Sequence, residues 1–92
     1  MALAADHGSV VFQSRFDACS GAQKRVLLEL AQRPTATIYA AEFRDAAGLK
    51  GSGGVQNAVA ALVAHDLVVR RNSTYVVADP FLAQWLRGIA QS

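Results

Sequence analysis

The chain of 92 residues has one cysteine, Cys19, which excludes an internal disulfide and any metal site built from several thiolates. That usage fits a reducing compartment, so a cytoplasmic protein is expected. No apolar run approaches the ~20 residues that a membrane-spanning helix needs, so no membrane partner is expected. The opening MALAADHGSV lacks the positive flank and apolar stretch of a signal peptide and reads as a frayed end. Charge of either sign is sparse: nine basic against seven acidic residues leave a net +2, compatible with a polyanionic partner but far from a nonspecific nucleic-acid coat. Large apolar side chains are fewer than the 52% hydrophobic content suggests, because 18 of those residues are alanine, and helix is the default expectation. The length allows a single small domain, too short for a nucleotide-binding domain plus anything else.

What the chain does have is a cluster of glycines around a lysine, GLKGSGGVQNAVAAL, from Gly48 to Leu62. A phosphate-binding loop of the GxxxxGK[ST] kind needs its lysine after the glycines, and here Lys50 precedes three of the four. The dinucleotide fingerprint fails too, since Gln56 stands where a third glycine is required. The stretch is instead expected to form the turn between two helices packed at a steep angle, its glycines letting the second helix start close to its neighbour. No cofactor is expected.

Helical spacing of Val11, Phe12, Phe16 and Cys19 suggests a short amphipathic helix over about Val10 to Cys19. In SGAQKRVLLELAQRP, Ser20 and Gln23 have the spacing of a capping box, Val26, Leu27 and Leu30 form one stripe, and Pro34 ends the segment. TATIYA reads as a brief strand. In AAEFRDAAGL, Phe43, Ala46 and Ala47 share a face, and Gly48 stops the helix in the left-handed conformation with Leu49 as an anchor. Val55, Val59, Leu62 and Val63 form the core side of the next helix, with Asn57, Ala60, Ala61 and Ala64 opposite. Leu67 to Arg71 and Thr74 to Ala78 are two strands joined by Asn72 and Ser73 in a tight hairpin. Asp79 and Pro80 open a last helix that buries Phe81, Leu82, Trp85 and Leu86 and stops at Gly88.

The order helix, strand, helix, turn, helix, hairpin, helix is that of a winged helix-turn-helix, an α+β, mainly helical fold with a three-helix core, a two-stranded wing and an extra C-terminal helix. The expected organisation is an N-terminal segment over 1–19, the winged-helix domain over 20–88, and a frayed end over 89–92. From Gly21 to Arg87, through QKRVLLELA, GSGGVQNAVAALVAHDLVVRR and above all YVVADPFLAQWLR, the sequence resembles the C-terminal winged-helix domain that follows the nucleotide-binding domain in prokaryotic AAA+/STAND-type ATPases of the archaeal-ATPase kind. The resemblance implies a non-catalytic module of a longer parent, whose phosphate-binding loop lies in a preceding domain. Its implied partners are duplex DNA or the ATPase domain of the parent chain. By position, Gln56 and Asn57 fall on the exposed start of the helix that reads DNA in winged-helix regulators, and Arg70 and Arg71 fall on the wing.

Lys50 and Ser52 read either as contacts to a DNA backbone phosphate at a helix N-terminus or as a solvated turn with an N-cap. Gln56 and Asn57 either hydrogen-bond adenine or are simply solvated. Arg70 and Arg71 alternate across a strand, so at most one of them points at a duplex from the wing while the other flanks the core or pairs with an acid. The exposed face of the helix after the glycines has no Arg or Lys to pair with guanine. His65 beside Asp66 has no nucleophile in a defined turn, and both are expected to end that helix. Glu42 and Asp45 form a solvated acidic edge rather than a metal pair, since no histidine accompanies them. Trp85 with Phe81 reads as core rather than as a stacking platform. Phe12 and Phe16 are candidates for a link to the ATPase domain or a contact between two copies.

Overall fold

The structure is a computed structural model that describes the backbone of residues 2–50 and 52–90 and the side chains of 10–50 and 53–90. Five helices and one hairpin follow in order: α1 (Ala2–Asp17), α2 (Gly21–Gln32), α3 (Ala41–Ala46), α4 (Ser52–Ala64), β1 (Val68–Arg71), β2 (Thr74–Val77) and α5 (Pro80–Ala90). This is the expected α+β architecture, with α2, α3 and α4 around the core, β1 and β2 as the wing, and α5 packed back on α2.

α2 begins with the capping box read from its sequence. The Gln23 N–H donates to Ser20 Oγ at 3.2 Å and the Ser20 N–H donates to Gln23 Oε1 at 3.1 Å, so two donors that would otherwise be orphaned are satisfied reciprocally. Its buried stripe, Val26, Leu27 and Leu30, is the centre of the core and meets Val55, Val59 and Leu62 of α4 and Leu82 and Leu86 of α5. At the far end of α2, Arg87 of α5 donates to the Ala31 carbonyl at 2.9 Å, supplying a partner for a last-turn oxygen.

The brief strand expected in TATIYA shrinks to one residue. Thr35 exchanges both backbone hydrogen bonds with Tyr75, but Thr35 Oγ1 accepts the Thr37 N–H at 3.0 Å, and this local turn pulls the chain off the sheet. The following turn, closed by the Ala40 N–H to the Thr37 carbonyl, buries Ile38 and leaves Tyr39 half exposed.

α3 and α4 end in the same way. At α3, the Gly48 N–H donates to the Asp45 carbonyl and the Leu49 N–H to the Arg44 carbonyl, with Gly48 at φ +76°. At α4, Asp66 and Leu67 repeat the pattern onto Val63 and Leu62, with Asp66 at φ +60°. Both are Schellman ends, each followed by a leucine that packs against the core. The hairpin pairs Arg71 with Thr74 and Val68 with Val77, and its loop residues Asn72 and Ser73 both take positive φ, as a two-residue type I′ turn demands.

Several expected positions differ. α1 starts at Ala2 rather than near Val10, and it ends at Asp17. Ala46 is exposed, so Phe43 and Ala47 alone anchor α3. Val63 is 43% exposed and Ala58 takes its place in the core, because at 100° per residue Val63 sits about 90° from the centre of the buried stripe. Phe81 is 71% exposed in the first turn of α5, where its N–H caps onto Asp79 Oδ1 at 2.9 Å. α5 continues through Gly88 to Ala90, since Gly88 does not adopt the left-handed conformation that would stop it.

Candidate nucleic-acid interface

α4 turns its core side, Val55, Ala58, Val59 and Leu62, into the domain and leaves Gly53, Gly54, Gln56, Asn57, Ala60 and Ala64 exposed. By helical geometry Gly53, Asn57, Ala60 and Ala64 lie directly opposite the core, with Gln56 on the flank of that stripe. Lys50, in the connection before α4, is exposed. Gly51 lies outside the described residues, and so does the side chain of Ser52, whose backbone opens α4.

The glycines of this stretch are not alike. Gly48 needs its positive φ, and a Cβ there would stand 2.8 Å from the Arg25 guanidinium, which donates to the Gly48 carbonyl at 2.9 Å. A Cβ on Gly53 or Gly54 would meet nothing within 4 Å, and neither residue has positive φ. Among the described glycines, Gly48 alone has a conformation that calls for glycine, and it closes α3; nothing at Gly53 or Gly54 bears out the expectation that they let α4 start close to its neighbour. At Gly53 and Gly54 the first turn of α4 is bare because nothing is packed there.

The hairpin stands beside α4, with which β1 is in contact. Arg70 shares the sheet face of buried Val68 but lies beyond the edge of the core, its guanidinium carbon 5.7 Å from the centre of the Tyr75 ring. Arg71 points to the other face. Both are exposed, and among the described residues neither pairs with an acid, where sequence alternation left an acid pair open for one of them. Tyr39 stacks edge-on against Tyr75 at 6.3 Å, so Arg70, Tyr75 and Tyr39 form a row on one face of the wing. Burial, then the neighbouring Tyr75, push the Tyr39 hydroxyl above its ordinary pKa. Sequence reasoning missed Tyr39, taking it for part of a strand; its neighbour Thr35, poised to bond its own backbone, was the available signal.

The remaining candidates fall elsewhere. His65 and Asp66 end α4 as expected. Glu42 and Asp45 are exposed on α3, and no group of three metal-ligating side chains forms among the described residues. Phe12 and Phe16 pack on Trp85 of α5, with ring centres 6.0 and 5.9 Å apart, which answers where those rings go within the chain itself. Lys24 lies 5.4 Å from the centre of the Phe16 ring. Where α1 meets α2 and the end of α4, a cleft of about 380 Å³ is lined by Arg15, Ala18, Cys19, Gln23, His65 and Leu67. The Cys19 thiol in it is pushed up by burial, partly offset by the Lys24 charge, so it is not an activated nucleophile. No helix among the described residues is long and apolar enough to cross a membrane.

A search of curated proteins and of solved structures found no significant match. The family described as "Probable winged helix domain" matches residues 10–88, which takes in the second half of α1 as well as the helical core, the wing and nearly all of α5. With that match over most of its length, and with the helix-turn-helix and two-stranded wing in place, the chain belongs to this winged-helix family.

Proposed function

We propose that the chain is a non-catalytic module that binds duplex DNA, with α4 in the major groove and the β1–β2 wing on the adjacent backbone. The observation that carries the reading is one of charge. From Ser52 to Ala78 there is a single acid, Asp66, while α4 presents an exposed uncharged face and the hairpin beside it presents Arg70 and Arg71 without acidic partners. Lys50 and Arg71 supply phosphate contacts. Arg70 lies on the other face of the wing, held over Tyr75, so Arg71 is the arginine that meets the duplex. Gln56 and Asn57 meet base edges. The resemblance over Gly21 to Arg87 supports a place at the C-terminus of an AAA+/STAND-type ATPase.

The test is a titration of the chain with a mixed-sequence duplex at low salt, following backbone amide shifts. Amides of Lys50 to Asn57 and Arg70 to Thr74 should move together, and the shifts should fade steeply towards physiological salt. Replacing Arg70 and Arg71 together by alanine should weaken binding and flatten its salt dependence. Unmoved amides at low salt would remove DNA from the account.

A second reading is favoured by the apolar side chains left in water. Phe81 is 71% and Val63 43% exposed, and the alanines of α4 allow close approach. Here the module packs on the ATPase domain of its parent chain, or on a second copy, and regulates it. Such a contact would be insensitive to salt and to the two arginines, and Phe81→Ser would abolish it.

A further inference from the structure

We infer that α4 selects A·T base pairs, through amide pairing with adenine and methyl contact with thymine. The inference rests on the DNA reading above and states which bases lie beneath the helix. In the major groove each base asks for different chemistry. Guanine offers two acceptors, which suit Arg or Lys, and cytosine offers an amino donor, which suits Asp or Glu. Adenine offers one donor and one acceptor, which match both halves of an Asn or Gln amide, and thymine offers its C5 methyl group to apolar side chains. α4 contains no Arg, Lys, Asp or Glu in SGGVQNAVAALVA, so neither guanine nor cytosine finds its usual partner on the helix.

What the helix exposes is the other half of the code. Asn57 lies opposite the core and Gln56 on the adjoining flank, so two amides leave the first turns of α4 in different directions along a groove. Ala60, one turn on from Asn57, continues the stripe and presents an exposed methyl group of the kind that contacts a thymine methyl. A longer side chain at Ala60 would hold the backbone away from the base edges. An uncharged helix contributes little affinity by itself, so the phosphate contacts of Lys50 and Arg71 would set how tightly DNA is held, and α4 would set only the preference.

Fluorescence anisotropy of the chain with short labelled duplexes of equal length tests this. The arms are an alternating A·T duplex, a G·C duplex, and the A·T duplex with every thymine replaced by uracil, which removes the methyl groups and leaves the minor groove pattern intact. The G·C duplex should bind at least about fivefold more weakly, the loss of one good base contact. The uracil duplex should fall between the two, and Asn57→Ala should narrow the gap between A·T and G·C. Equal affinity for A·T and G·C, with both weakened by Arg71→Ala, would overturn the A·T assignment while leaving the DNA reading intact. An A·T preference unmoved by both uracil and Asn57→Ala would trace to groove shape and also overturn it. Binding to none of the duplexes at low salt would overturn both.

Discussion

Glycine occupies the end of α3, at Gly48, and the start of α4, at Gly53 and Gly54, and the surroundings of the two sites differ in every respect that matters for a side chain. Gly48 is left-handed, donates one of the two hydrogen bonds of the Schellman end of α3, and lies against the Arg25 guanidinium. Gly53 and Gly54 are helical, exposed and untouched. A glycine costs roughly 0.5–1 kcal/mol against alanine inside a helix, so a residue that the fold does not need there is a cost without a structural return. The contrast separates a glycine that serves the fold from two that leave α4 accessible to something outside it.

The largest expected effect is at Gly48. Gly48→Val puts a β-branched side chain at positive φ and displaces the Arg25 contact, and should cost about 2–3 kcal/mol in urea unfolding. A loss below about 1 kcal/mol would mean that the turn relaxes freely, and the contrast would collapse. Arg25→Ala isolates the hydrogen bond to the Gly48 carbonyl. Because that bond is exposed, it should cost no more than about 1 kcal/mol in the same experiment.

Asp66 sharpens the comparison from the other side, because it holds at α4 the position that Gly48 holds at α3. An aspartate tolerates the left-handed conformation better than most residues, but its charge sits at the negative end of the helix dipole. Asp66→Gly relieves both strains and gives back part of the gain through the freer unfolded chain, for a net stabilisation of about 0.5–1 kcal/mol. Asp66→Asn removes the charge alone and should recover a smaller share. If neither raises the urea midpoint, the left-handed turn after α4 is unstrained, and Gly48 has no special claim either.

Much of this was legible in the chain, and for identifiable reasons. Ser20 with Gln23, Asp79 with Pro80, Gly48 with Leu49, and Asn72 with Ser73 each act within a few residues, so their spacing carries their geometry. The misplacements depend on neighbours distant in sequence or on a competing local bond. Val63 and Phe81 are exposed because, among the described residues, no other element covers the edges of α4 and α5 where they stand, which no periodicity records. Thr35 leaves the sheet because its hydroxyl captures the Thr37 N–H before the strand can continue. At the candidate interface, alternation told that Arg70 and Arg71 point opposite ways, but the stacking of Arg70 on Tyr75, and of Tyr75 on Tyr39, needed the register of three segments.

The smallest stability effect bears most on function. Gly53→Ala and Gly54→Ala add a methyl group where nothing lies within 4 Å and where φ is not positive, so each should raise stability by about 0.5 kcal/mol. If α4 serves only the domain, that is all they do. If the first turn of α4 approaches a duplex, the same methyl groups stand between its backbone and the DNA, and affinity for a mixed-sequence duplex should fall as stability rises. The pair of readouts is what discriminates, since a variant that merely damaged the fold would lower both. Stabilisation with unchanged DNA affinity would place the contact elsewhere on the helix. Destabilisation would mean that the glycines serve the fold after all, and would erase the distinction from Gly48.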